Sequence, residues 1–335
     1  MIRACFPFAA STAIGYYRLA LPAMALSHDG QPVKLFDGTL VSPEQIAMLD
    51  HREAVKTALV AGCTPYHLGT LAQVRRLKDV GYAVLIDLDD NAWDYEKRKP
   101  EQIEELDAVL KLVDRVVTTC PFLRNKITER TGVEAVLLRN TLPERSFFPP
   151  QRRRDSRLRV LYTGAFTHDT EWPLLAKLIR KTSEFCDWIM YMGDGRDPDG
   201  NFLCHVKPPS LNDLPVTWHI PQRAAHFMDH AHAVRPDVTV APLDLTGTNR
   251  AKSDLKLLEA GALGVPCIAS RLAPYEASPN FTAPDSAAFV KELRRMAGDE
   301  YYRLEQAEKM ATFAWERRLE GETYCKEVRQ AWTLT

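Results

Sequence analysis

The stretch TGTNRAKSDLKLLEAGALGVPCIAS, residues 246–270, decides the fold. It follows the apolar run Val238 to Ala241 and Pro242, crosses a polar, glycine-containing loop into a helical pattern, and passes Gly264 into a second apolar run, Pro266 to Ala269. Strand, loop, helix and strand in that order make the repeating unit of a parallel sheet. With a helix expected over residues 253–263, Lys252, Lys256 and Glu259 fall within one narrow arc, and Leu255, Leu258 and Ala262 cover a neighbouring one. Two lysines close to a helix N-terminus suit a pyrophosphate, because ammonium groups and free backbone N–H groups both favour negative charge there. A carboxylate one turn on can accept hydrogen bonds from two ribose hydroxyls. The same spacing also fits a surface helix on which Lys256 and Glu259 form an i,i+3 salt bridge.

Outward from this stretch the alternation continues. Strand-like runs fall at Arg159 to Thr163, Trp188 to Met192 and Thr217 to Ile220, with helical patterns at Glu171 to Glu184 and Gln222 to His232. In the first half Ile2 to Phe6, Thr57 to Val60, Ala83 to Ile86, Arg115 to Thr118 and Ala135 to Leu138 read as buried strands. Helices are expected between them at Ser42 to Ala54, Gly69 to Val80, Pro100 to Val113 and Pro121 to Thr131. Continuous apolar strands joined by helices imply parallel sheets covered on both faces. The run Phe147 to Ser156, with two prolines and Arg152 to Arg154, breaks the rhythm and reads as a linker. The expected organisation is an α/β chain of two doubly wound, Rossmann-like domains facing across a cleft. The first covers residues 1–150 and the second 157–298, and helices over 299–335 cross back to the first. Such sheets bind ligands at the carboxyl ends of their strands.

At 335 residues the chain is long enough for two cores. Its net charge of −1 gives no global positive field that would gather nucleic acid or an acidic membrane, so Arg152 to Arg154 are read as solvated linker charges before a phosphate patch. No apolar stretch approaches the ~20 residues that cross a bilayer. Met1 to Phe8 reads as a first strand rather than a signal peptide, and the expected location is the cytoplasm or, peripherally, the inner membrane face. Seven cysteines without a Cys-x-x-Cys spacing suit reduced thiols better than disulfides or structural zinc.

Four further segments carry chemistry. Val160 to Trp172 is a strand ending in Gly164, where the backbone can approach a phosphate, followed by His168. Gly15 to Pro22 contains Arg18, which near a helix start suits a phosphate or an acidic group. Val84 to Tyr95 runs a buried strand into Asp87, Asp89 and Asp90; carboxylates so close are costly to hold together unless solvated, paired or beside a cation. Lone His67, after another strand, is either a reacting-sugar contact or a plain loop histidine.

The pattern Lys-x-x-x-Lys-x-x-Glu-Ala-Gly-Ala-x-Gly-x-Pro-x-Ile-Ala-Ser over residues 252–270 resembles the donor-binding signature of retaining GT-B glycosyltransferases, close to the large family numbered four. The resemblance implies that Glu259 binds a ribose and Lys256 a diphosphate, with Lys252, Arg18, Gly164 and His168 on the donor phosphates. A second glutamate common in that family, eight positions before the first, is Ala251 here. Asp-Leu-Asp-Asp-x-x-Trp resembles an acceptor-facing segment of the same enzymes, so Asp89, Asp90 and His67 are the expected catalytic side chains. The rival reading of the aspartates, the metal-gripping Asp-x-Asp of GT-A enzymes, leaves the restarted second half unexplained. The expected activity is transfer of a sugar from a nucleotide sugar, taken as a UDP-sugar, with retention and with neither cofactor nor metal. A surface glycan, a lipid-linked sugar or a hydroxymethylated base in phage DNA is the expected acceptor. Alternatives are a sugar-nucleotide epimerase of the same architecture and a non-catalytic nucleotide-sugar-binding protein.

Overall fold

The computed structural model describes residues 2–6, 13–31, 33–35, 56–60, 70–79, 81–94, 99–151, 157–164, 169–192, 208–220 and 222–333. The chain divides into two compact units. Met1–Pro143, Thr246–Ser253 and Arg317–Thr335 form the first, and Glu144–Leu245 with Asp254–Glu316 form the second.

In the first unit, strands β1 (Ile2–Phe6), β2 (Val33–Leu35), β3 (Lys56–Val60), β4 (Ala83–Leu88), β5 (Arg115–Thr118) and β6 (Ala135–Leu137) form one parallel sheet in the order β2-β1-β3-β4-β5-β6. A helix of wide turns, Gly15–Ala20, runs into α1 (Leu21–His28), and α2 (Thr70–Asp79), α3 (Pro100–Leu112) and α4 (Pro121–Thr131) follow. Proline opens α3 and α4, where a missing N–H costs nothing. Cys120 Sγ accepts from Leu123 N to cap α4, and Gly132, at φ 72°, ends it in the left-handed region. Val84, Ile86, Leu88 and Val116 pack with Val74, Leu106, Val109 and Leu123 into one apolar cluster, which is the physical content of the alternating pattern.

In the second unit, β7 (Leu158–Gly164), β8 (Cys186–Met192), β9 (Val216–His219), β10 (Val238–Ala241), β11 (Cys267–Ser270) and β12 (Thr282–Ala283) are again all parallel, in the order β12-β11-β10-β7-β8-β9. With β7 as the first strand, this is the doubly wound order whose direction of winding reverses between β7 and β10. Helix α5 (Trp172–Thr182) and α6 (Ala224–Ala233) belong here; the short α7 (Gly247–Arg250) belongs to the first unit, and α8 (Leu255–Ala262), α9 (Ser286–Gly298) and α10 (Glu300–Trp315) return to the second. Helix α11 (Glu322–Trp332) packs on α1 in the first unit. Among the described residues no helix is long and apolar enough to cross a membrane.

Several expectations change. The expected linker is not a free tether over Phe147 to Pro150: Phe148 N donates to Ala262 O at 2.7 Å, the Phe148 ring stacks on His232 at 3.8 Å, and Phe147 meets Trp315 edge-on. The first stretch of the first unit ends at Pro143, and Arg152 to Arg154 lie outside the described residues. The helix expected over 253–263 begins at Leu255, because Thr246–Ser253 folds as part of the first unit. The terminal stretch is two helices, and only the part after Glu316 joins the first unit; α10 stays with the second, packed on α8. Strands β2 and β12 and helix α9 were not expected from sequence, and the helix expected over 42–54 lies outside the described residues.

Candidate functional site

The nucleotide signature resolves into two groups of side chains, one in each unit. In the second unit the carboxyl end of β7 brings Thr163 and Gly164 beside the start of α8. Lys256 Nζ donates to Thr163 Oγ1 and, at 3.3 Å, to Glu259 Oε2. Glu259 is buried with only 7% of its surface exposed, whereas Lys256 remains partly open. A small recess lined by Thr163, Phe227, Thr239, Lys256 and Glu259 lies at the β7/β10 reversal, where sheets of this order receive ligands. A buried carboxylate one turn inside a helix, with an ammonium between it and a strand-end hydroxyl, is a polar arrangement costly to assemble unless it meets a ligand or completes its own hydrogen bonds.

The glycines of this region have separate physical reasons. A Cβ on Gly164 would lie 2.5 Å from the phenol oxygen of Tyr162, which is buried and donates to Glu171 Oε2 at 2.7 Å. A Cβ on Gly261 would strike Met310 O and come within 2.5 Å of Ala314 Cβ, so α8 and α10 meet backbone to backbone. Gly264, at φ +68°, turns the chain from α8 into β11 against the backbone of Phe148 to Pro150. These three glycines hold the strand, the helix and the turn in place; Gly164 follows Thr163, which lines the recess.

In the first unit, Arg18 is 2% exposed and fully engaged. Its guanidinium forms a bidentate pair with Asp87 at 3.0 and 2.8 Å and donates to Leu138 O at 2.7 Å and Asn140 Oδ1 at 3.0 Å. The expectation that Arg18 meets a donor phosphate is therefore corrected: it holds the helix 15–20 to β4 and to the chain after β6. Asp89 and Asp90 follow at the carboxyl end of β4, both half-buried. Burial, then the neighbouring Asp90 and Asp87, push the Asp89 carboxyl up to about 7, against the opposing pull of Arg18 and Lys252. Lys252 is not on α8 at all; it pairs with Asp90 Oδ1 at 2.8 Å, within the first unit. His67 and His168 lie outside the described residues.

No protein-family model matches this sequence, and no curated protein matches it either. Solved structures do. Sucrose-phosphate synthase from Thermosynechococcus elongatus aligns over 99% of this chain and 95% of its own, with 14% identity and a TM-score of 0.63. HepE from Anabaena, in complex with UDP, aligns over 98% of both chains with 10% identity and a TM-score of 0.68. A Listeria monocytogenes protein assigned as a UDP-N-acetylglucosamine 2-epimerase aligns over 97% of this chain and 94% of its own, with 10% identity and a TM-score of 0.56. At such identities the likeness is one of fold. The fold is GT-B.

Within this GT-B chain, the departure at Ala251 gains a physical reason. Ala251 is fully buried in the apolar cluster of the first unit, and its carbonyl accepts from Cys120 Sγ at 3.3 Å. A glutamate there would place a carboxylate among apolar side chains, at a cost of several kcal/mol. Sequence reasoning missed Thr163, although a hydroxyl beside the strand-end glycine was a usable signal. It also missed Asn140, which joins Arg18 to Ser253 through its Oδ1 and its Nδ2; nothing in the sequence links positions 18, 140 and 253.

Proposed function

We propose that this chain is a glycosyltransferase that takes a sugar from a UDP-sugar and transfers it to an acceptor hydroxyl. The observation that carries the reading is the Thr163, Lys256 and Glu259 grouping at the β7/β10 reversal of a GT-B chain. Lys256 and the backbone beside Gly164 would neutralise the diphosphate, and Glu259 would accept from the ribose hydroxyls. UDP in the HepE structure and, in a second complex, UDP with glucose support a nucleotide-sugar donor for this fold.

In the transfer step the bond from the anomeric carbon to the phosphate oxygen breaks, and its electron pair leaves with the nucleoside diphosphate. The acceptor oxygen forms the new bond on the same face, its proton passing to the departing phosphate, so configuration is retained. Positive charge around the diphosphate stabilises the leaving group electrostatically, the part a metal plays elsewhere. Asp89 and Asp90 would accept hydrogen bonds from the acceptor. Two carboxylates at that end of β4 favour a neutral sugar hydroxyl, on a surface glycan or a lipid-linked sugar, over a base set in the phosphate-rich backbone of DNA.

The test is calorimetric titration with UDP, followed by incubation with UDP-sugars with and without glycan acceptors. Binding of UDP and acceptor-dependent release of UDP are expected, and failure to bind UDP would overturn the reading. The likeness to an assigned epimerase supports a second reading, separable by incubating the UDP-sugar alone: an epimer in place of acceptor-dependent UDP release identifies that activity.

A further inference from the structure

Lys252 stands four positions before Lys256, and sequence spacing groups the two on one diphosphate. In the structure Lys252 belongs to the first unit and Lys256 to the second. Its segment, Thr246–Ser253, is fastened along its length to the first unit: Asn91 Nδ2 donates to Gly247 O at 3.1 Å, Thr248 Oγ1 to Asp94 O at 3.2 Å, Cys120 Sγ to Ala251 O at 3.3 Å and Asn140 Nδ2 to Ser253 Oγ at 3.0 Å. A Cβ at position 247 would meet the Asp94 carboxylate, which would have to move to admit it. With the residues on either side of it bound in this way, Lys252 presents its ammonium to Asp90 at 2.8 Å.

The charges facing Asp89 come from three elements. Asp87 and Asp90 flank it on its own strand end, Arg18 faces it from the helix 15–20, and Lys252 faces it from the fastened segment. Arg18 is already paired through two nitrogens with Asp87, so its charge is matched there. Lys252, bonded to Asp90, adds its charge to that of Arg18 in opposing the negative charge gathered at Asp89.

We propose that Lys252 is a positioning residue for the Asp89–Asp90 pair, held on Asp90 by the fastened segment Thr246–Ser253, and takes no part in gripping the donor diphosphate. The proposal rests on the transferase reading only for its effect on turnover. Burial and the like charges raise the Asp89 carboxyl to about 7; Arg18 and then the Lys252 ammonium oppose that rise, keeping more of the carboxylate ionised near neutrality.

The test compares wild type, Lys252→Met and Lys252→Arg in three measurements. The Asp89 side-chain carboxyl is titrated by carbon-detected NMR, UDP affinity is measured by calorimetry, and transfer rate is followed against pH. Lys252→Met should move the Asp89 midpoint upward by about one pH unit and slow transfer about tenfold near pH ~6, with little change near pH ~9. UDP affinity should stay within about twofold of wild type, and Lys252→Arg should restore the midpoint, because a charge that grips neither phosphate nor ribose is not felt by UDP. Weakening of UDP binding with an unmoved Asp89 midpoint would overturn the proposal. Should Lys252→Met not fold, the Lys252 ammonium nitrogen resonance in wild type reads the same question: it should follow the Asp89 titration and ignore saturating UDP, and a shift on adding UDP overturns the proposal. If wild type itself does not bind UDP, the transferase reading fails while the NMR titration still tests Lys252.

Discussion

Asp89 illustrates how one residue's surroundings set its chemistry. Its carboxyl, raised to about 7 by burial and by Asp90 and Asp87, is ionised above neutrality and protonated below it. If the ionised form orients the acceptor, transfer should rise with pH through about 7. The double variant Asp89→Asn with Asp90→Asn should lose most turnover while its UDP affinity stays near wild type, since both side chains belong to the unit that lacks α8. A large loss of UDP affinity in that variant would move the aspartates to the donor side. The sign for stability is opposite to that for activity. A carboxyl whose folded pKa lies above its unfolded value of about 3.9 gives stability that is full below that value and is lost as pH rises through about 7. Thermal melts at acidic and alkaline pH should show a decline for wild type that is smaller for Asp89→Asn alone. Glu259 is the counterpart on the donor side. Glu259→Ala should weaken UDP binding by about 1.5–3 kcal/mol, the worth of hydrogen bonds to a charged acceptor, and an unchanged calorimetric Kd would remove it from the ribose site.

At the scale of elements, helix α8 is held by what packs behind it. Leu257, Leu258, Ala260 and Ala262 are buried, and Gly261 lets α10 approach until Met310 O and Ala314 occupy the space of a side chain. Overpacking of that kind costs about 1–3 kcal/mol, so Gly261→Ala should lower Tm and, by tilting α8, separate Lys256 from Thr163 and weaken UDP binding. An unchanged Tm would mean that the two helices do not meet so closely. Strand β7 depends on a similar close fit, in which the ring of Tyr162 is fixed by Glu171 and fills the place next to Gly164.

At the scale of the molecule, the chain uses two parallel sheets of different winding order, and returns twice to the first unit, with Thr246–Ser253 and with the end of the chain. The proposed handling of the diphosphate by Lys256 and backbone N–H groups makes turnover independent of divalent metal. Activity should persist in EDTA; complete loss restored by Mn²⁺ or Mg²⁺ would instead revive Asp87, Asp89 and Asp90 as a metal-gripping motif.

The sequence by itself determined the alternation of elements. Largely apolar runs such as Val84 to Ile86 and Val238 to Ala241, alternating with helical patterns, suit parallel strands covered by helices, and prolines at 100 and 121 mark helix starts through their missing N–H. It also determined that Lys256 and Glu259 share a helix face, because three-residue spacing on a helix is local geometry. Only the tertiary structure decided the rest. It drew the unit boundary before Phe147 rather than after it, because aromatic rings next to prolines found partners at His232 and Trp315 that are distant in sequence. Arg18 belongs to Asp87, 69 residues away, since a guanidinium buried in the interior must take whichever carboxylate the fold brings to it. And Lys252 folds with the first unit while Lys256 belongs to the second, though only four positions separate them in sequence, because the apolar burial of Ala251 and the bonds on either side anchor the Lys252 backbone to the first unit, a long-range competition that helical periodicity cannot register.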